Sequence, residues 1–215
     1  MHNKLFRTII RFLFPKPPLV EELEDLSVER FRERLGDTPY TPQHFIACTS
    51  YKNPCSKAVV WQVKYKGNRS LTTLCGQLLH EELFRIVEDT ISFNRGERIL
   101  LVPIPASKER KQERGWNQAE LLCQTMLSAG GEHIAEYRPT LLKRVRHTER
   151  QTKLPREKRL SNVRNSMEAN PNDIPNGSIV VLIDDVATTG STFKEAVRAL
   201  TEAGVWRVHC LAFAH

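Results

Sequence analysis

The 215-residue chain has no apolar run long enough to cross a bilayer. It has no Cys-x-x-Cys pair, so a zinc ribbon is not expected. Its five cysteines, Cys48, Cys55, Cys75, Cys123 and Cys210, are odd in number and irregularly spaced, which argues against a disulfide framework. They read instead as small core residues of a protein in a reducing cytoplasm. No GxxxxGK[ST] string occurs, which removes the P-loop nucleotide hydrolases. Aromatic residues make up only 7% of the chain, and none falls between residues 143 and 163. Internal repeats and low-complexity tracts are absent. Residues 5–14 are apolar but carry Arg7 and Arg11 and no small-residue cleavage site, so they do not read as a signal peptide. They are expected to pack on the chain's own core or to be partly disordered, with a place on a membrane or on a partner as the alternative.

What is present is ordinary in bulk and uneven in charge. Hydrophobic content of 40% and charged content of 27% suit a globular chain with a sizeable core. The formal net charge of +7 is concentrated in one place. Between Lys143 and Arg159 lie eight basic and two acidic residues, while the rest of the chain is close to neutral. Such a run is usually a solvated face or loop. It gains weight here because another motif implies an anionic ligand.

That motif is Val180-Val181-Leu182-Ile183-Asp184-Asp185-Val186-Ala187-Thr188-Thr189-Gly190-Ser191-Thr192. An apolar run of strand length ends in two carboxylates, a hydroxyl-rich turn with one glycine follows, and a helix opens behind it. Backbone N–H groups at a helix N-terminus, with the helix dipole, attract phosphate. The hydroxyls of Thr188, Thr189, Ser191 and Thr192 add donors, and Gly190 allows close approach of the backbone. Asp184 and Asp185 cannot serve the phosphate; they stand where sugar hydroxyls or a hydrated metal ion would lie. The implied ligand is a sugar phosphate. A buried strand with a Thr/Ser helix cap is the plain alternative for parts of this string.

The periodicity predicts helices over 21–35, in the stretch after Cys48, from Asn68 or Ser70 through Val87, over 117–129 and over 192–203. Strands are predicted at 99–102, 179–183 and 205–213, with a short one beginning at Leu141-Leu142. Apolar strands alternating with helices predict an α/β fold, a doubly wound and mainly parallel sheet. Ligands of such sheets sit beyond the carboxyl ends of the strands.

A second motif leaves such an end. Val102-Pro103-Ile104-Pro105-Ala106-Ser107-Lys108-Glu109-Arg110 reads as a stiff, proline-pinned loop turning basic, followed by Arg114-Gly115-Trp116-Asn117-Gln118. Lys108, Arg110 and Arg114 suit a pyrophosphate, since arginine can grip two oxygens at once. Trp116 reads as a packing residue.

The strand–Asp-Asp–Thr-Thr-Gly-Ser-Thr string resembles the phosphoribosyl pyrophosphate (PRPP) motif of type I phosphoribosyltransferases. The Val-Pro-x-Pro and Arg-Gly-Trp-Asn-Gln blocks, Tyr51-Lys52-Asn53-Pro54 with Lys64-Tyr65-Lys66-Gly67, and Arg150-Gln151-Thr152-Lys153-Leu154 with Arg159-Leu160-Ser161-Asn162-Val163 narrow it. Together they resemble the ComF (GntX-like) family of phosphoribosyltransferase-like proteins, associated with bacterial DNA uptake. The resemblance implies a type I phosphoribosyltransferase sheet over residues 46–215 and an N-terminal helical extension over 1–45. Relatives often carry a four-cysteine zinc module after Leu-Phe-Pro; here Leu13-Phe14-Pro15 is followed by no cysteines. By resemblance, Asp184 and Asp185 would be the catalytic pair at the ribose and a place for magnesium. Ala187, Thr188, Thr189, Gly190, Ser191 and Thr192 would hold the 5-phosphate. Pro105, Ala106, Ser107, Lys108, Arg110 and Arg114 would hold the pyrophosphate. Arg144, Arg146, Arg150, Lys153 and Arg159 would lie on a flexible basic loop closing over the site. The acceptor, a base or an amine, is not named by any residue, and the oligomeric state is left open. The alternatives are a non-catalytic PRPP-responsive regulator and a single-stranded DNA-binding accessory factor; the latter needs stacking platforms that residues 143–163 lack.

Overall fold

The structure, a computed structural model, describes residues 16–36, 45–91, 98–145 and 165–215. Arg146, Arg150, Lys153 and Arg159 of the expected basic loop, and residues 5–14, lie outside them.

The first expected helix is two. Helix α1 spans Pro18–Glu24 and α2 spans Val28–Leu35. Pro18 opens α1 at a position where a missing N–H costs nothing. The break falls at Ser27, whose hydroxyl accepts the Arg30 N–H at 3.4 Å and starts a new helix. Strand β1, Ile46–Thr49, was not expected; that stretch read as the approach to a turn. Helix α3 follows at Pro54–Tyr65, capped by Asn53, which accepts the Cys55 N–H at 2.7 Å. Helix α4 runs through 23 residues, Arg69–Ile91, with the Asn68 side chain accepting the Leu71 N–H at 3.3 Å.

Strand β2, Arg98–Pro103, leads to α5, Lys108–Arg114, and α6, Gln118–Ser128. Helix α5 corrects the expectation of a stiff loop: Ser107 caps it, accepting the Arg110 N–H at 3.3 Å. Two-residue β3, Glu136–Tyr137, precedes β4, Leu142–Arg144, and β5, Met167–Ala169. Arg144 therefore sits in a strand rather than in a loop. Then come β6, Ser178–Val186, α7, Ser191–Glu202, and β7, Arg207–Ala214.

The main sheet has the order β1-β7-β6-β2-β3, and every neighbouring pair is parallel. Strands β4 and β5 form a separate antiparallel ribbon. Strand β6 is buried on both faces, as its unbroken apolar run requires. Ile179, Val181 and Ile183 pack with Leu71, Leu79, Leu122 and Met126 of α4 and α6. Val180 and Leu182 pack on the other face with Phe193, Ala196 and Leu200 of α7. Each such fully buried side chain contributes roughly 1.5–3 kcal/mol of transfer free energy. The α/β, doubly wound parallel sheet expected from the sequence is the fold observed. Cys55, Cys75, Cys123 and Cys210 are buried in it. Among the described residues no helix is long and apolar enough to cross a membrane.

Candidate functional site

All strands of the main sheet point the same way, so their carboxyl ends share one rim. The two sequence motifs meet there. Ile183 of β6 pairs with Pro103 of β2, and the Ile104 N–H donates to the Ile183 carbonyl at 2.9 Å. Beyond this junction opens a cleft of about 270 Å³. Pro105, Ala106, Arg110 and Arg114 border it on one side, Asp184, Asp185, Thr188 and Thr192 on the other, with Arg144 and Lys64 also lining it.

The two acids are not equivalent. Strand β6 continues through both, whereas the sequence reading ended it before them. The two-residue alternation of a strand then sends them to opposite faces. Both still border the cleft because the strand ends there. Asp185, 8% exposed, forms an ion pair with Lys64 of α3, Nζ to Oδ2, at 3.1 Å. Its Oδ1 accepts the Val186 N–H at 2.8 Å. Asp184 Oδ1 accepts the Asp185 N–H at 2.9 Å. Burial, and then the charge of Asp185, push the Asp184 carboxyl up to about 7, against the opposing pull of Lys64.

Behind the acids, Ala187, Thr188, Gly190, Ser191 and Thr192 line a small recess at the N-terminus of α7. Gly190 has φ of +68°, and a Cβ there would stand 3.2 Å from the Phe45 ring. The turn is held from behind: the Ala187 N–H donates to the Ala214 carbonyl at 3.0 Å. Thr189 lines neither the recess nor the cleft; its hydroxyl bonds to that of Ser191 at 3.0 Å and shapes the turn. The helix terminus and the small recess together make a place for a tetrahedral anion.

On the opposite wall the structure divides the expected basic set. Arg110 and Arg114 border the acid-lined cleft. Ser107 is spent as the α5 cap, and Lys108 faces a neighbouring cavity of about 530 Å³ instead. Arg144 reaches the cleft from β4, its Nε donating to the Pro105 carbonyl at 3.2 Å. Burial, and then the charge of Arg110, lower its pKa, while Asp184 works the other way.

The ribbon that carries Arg144 is fixed to α7. Glu195, 5% exposed, accepts the Ser166 and Met167 N–H groups at 2.8 and 3.1 Å and pairs with Arg198 at 2.8 Å. Asn165, next to it, takes φ of +53°.

Lys64, Tyr65, Asn117 and Gln118 were missed as cleft residues. Tyr65 is 50% exposed, with the Arg114 guanidinium 5.0 Å from its ring centroid. Arg114 also donates to Gln118 Oε1 at 2.8 Å. Trp116 Nε1 donates to the Val63 carbonyl at 3.3 Å, and Gln118 Nε2 to the Lys64 carbonyl at 3.5 Å. The Arg-Gly-Trp-Asn-Gln block thus grips the last turn of α3, whose carbonyls have no helical donors.

A phosphoribosyl transferase domain family matches residues 133–215, which include both acids and the recess. Competence protein ComFC of Bacillus subtilis is 29% identical over 82% of this chain and 65% of its own length. The DNA utilization protein YhgH of Salmonella typhimurium is 29% identical over 75% of this chain and 67% of its own. Competence protein F of Haemophilus influenzae is 36% identical over 49% of this chain and 45% of its own. The chain is thus similar to competence and DNA-utilization proteins, and its C-terminal part to phosphoribosyl transferase domains. The chain spans about two thirds or less of the length of these relatives.

Proposed function

We propose that the chain binds PRPP with magnesium and transfers phosphoribose from it to a nucleophilic base or amine. The observation that carries this reading is the meeting, at one rim, of an anion recess, two carboxylates and three arginines around a cleft of about 270 Å³. Small-ligand sites run from roughly 300 Å³ upward, so a compact, highly charged ligand suits this one. In this reading the 5-phosphate sits against the turn 187–192, and the ribose hydroxyls face Asp184. Arg110 and Arg114 take the pyrophosphate in charge-assisted hydrogen bonds.

The carboxylate inventory fits a magnesium ion held mostly by the ligand. Among the described residues no group of three or more His, Cys, Asp or Glu side chains is placed to hold a metal. Asp185 is engaged by Lys64 and by the backbone, and Asp184 keeps one oxygen outside its bond to the Asp185 N–H. Magnesium commonly takes one or two carboxylates plus phosphate oxygens and water. Bound there, it would neutralise charge growing on the departing pyrophosphate.

In the transfer, the bond from the anomeric carbon to the pyrophosphate oxygen breaks, and the acceptor's lone pair forms the new bond. The acceptor's proton passes to solvent or to the leaving group. Asp184 faces the ring as it gains positive charge, and the arginines face the oxygens as they gain negative charge. The competence and DNA-utilization names of the relatives suggest that the activity serves DNA handling.

Calorimetric titration with PRPP, with and without magnesium, tests the reading. Binding that needs the metal is expected. Asp184→Asn with Asp185→Asn is expected to weaken it at least about tenfold, the worth of one lost charge-assisted contact, with an unchanged circular dichroism spectrum. Unchanged affinity overturns the assignment. A screen of bases and amines for pyrophosphate release then separates a transferase from a PRPP-responsive regulator that binds without turnover.

A further inference from the structure

We infer that Lys64 is an exchangeable cation of the cleft: it neutralises Asp185 in the absence of ligand and turns to the pyrophosphate end of a phosphoribosyl ligand when one binds. The inference rests on the reading of the cleft under Proposed function and gives a role to Lys64, which the sequence reading quoted without one.

The geometry has three parts. First, the Lys64 ammonium lies 3.1 Å from Asp185 Oδ2 with its side chain 22% exposed, so it is sheltered but not sealed. An ammonium carries three donors on a four-carbon stem that turns freely. Among the described residues, Asp185 is the carboxylate it pairs with. Second, Lys64 shares the cleft with Arg110, Arg114 and Arg144. Four cations and two carboxylates thus line one space, with Glu109 and Glu195 also acting on Arg144. Among these cations Lys64 is the one paired with an acid of the cleft that a magnesium-bearing ligand would compete for. Third, the end of α3 that carries Lys64 is held by the Arg-Gly-Trp-Asn-Gln block. Trp116 and Gln118 donate to the carbonyls of Val63 and Lys64, and Arg114 covers Tyr65 next in line. The block that read as a pyrophosphate grip thus also holds the α3 terminus so that Lys64 emerges into the cleft.

A fixed counter-ion and an exchangeable one differ in ligand selectivity. Calorimetry on the full chain with magnesium, at one neutral pH, would compare PRPP, inorganic pyrophosphate and ribose 5-phosphate. Lys64→Met is expected to weaken PRPP and pyrophosphate by about tenfold or more while changing ribose 5-phosphate by less than about threefold. Lys64→Arg is expected to restore most of the loss. An equal loss for all three ligands, or none, overturns the inference. If the unaltered chain binds none of the three, the reading of the cleft falls, and the role of Lys64 with it.

Discussion

Asp184 holds its proton more tightly in the folded chain than in the unfolded one, because it is partly desolvated beside Asp185. Stability must therefore fall as pH rises from the ordinary carboxyl value of 3.8 through about 7, and level off above. Asp184→Asn removes this titration. Thermal melts without ligand should show a flatter profile for the variant across that window and a higher melting temperature on its alkaline side; parallel profiles would contradict the assignment. Glu195 behaves in the opposite sense. Burial alone would raise its carboxyl, but bonds from Arg198 and from the N–H groups of Met167, Asn165 and Ser166 outweigh it and bring the group below its usual 4.5. Its stabilisation is complete above that value and is lost as pH falls through the depressed one. Glu195→Gln is expected to cost about 2 kcal/mol at neutral pH. Denaturant titrations should show the gap closing in acid, where the parent carboxyl is protonated too.

Elements that carry strong local signals were legible, and those defined by distant partners were not. Strand β6 announces itself by an apolar run, and α4 by leucines at helical spacing. Strand β1 does not: Ile46-Ala47-Cys48-Thr49 is short and is made a strand by β7, which pairs Ile46 with Leu211. Helix α5, Lys-Glu-Arg-Lys-Gln-Glu-Arg, has no apolar residue and hence no periodicity, so only its ends marked it: the Ser107 cap and Gly115, which closes the helix with φ of +83°. The Lys64–Asp185 pair joins residues with no relation in sequence, and no spacing rule could find it. Close packing of α4 on α6 was equally hidden. A Cβ on Gly76 would lie 2.0 Å from Thr125 Oγ1 and 3.0 Å from its backbone carbon. Gly76→Ala should therefore force the helices apart, at about 1–3 kcal/mol or more. Equilibrium unfolding in urea would measure this, and a loss below 0.5 kcal/mol, roughly the size of a neutral surface change, would contradict the packing.

At the scale of the molecule, the site belongs to no single segment. Its walls come from α3, the β2–α5 junction, β4 and the β6–α7 turn. A ligand that bridges them binds the folded state alone. At about a hundredfold excess over its dissociation constant it should stabilise the chain by about 2.7 kcal/mol. For a chain of this size that is a rise of about 5–10 °C in melting temperature. Differential scanning calorimetry with PRPP and magnesium should show the rise, and the Asp184→Asn, Asp185→Asn pair should abolish it.

The parallel sheet carries one more consequence. A parallel neighbour can be reached only by a long crossover, so no two adjacent strands of the main sheet form a hairpin. Productive contacts are consequently remote along the chain, and such topologies mature slowly. The arginines of α5 are synthesised some seventy residues before the acids of β6. A half-assembled chain therefore has one wall of the cleft without the other, and the cleft exists only when the last strands dock.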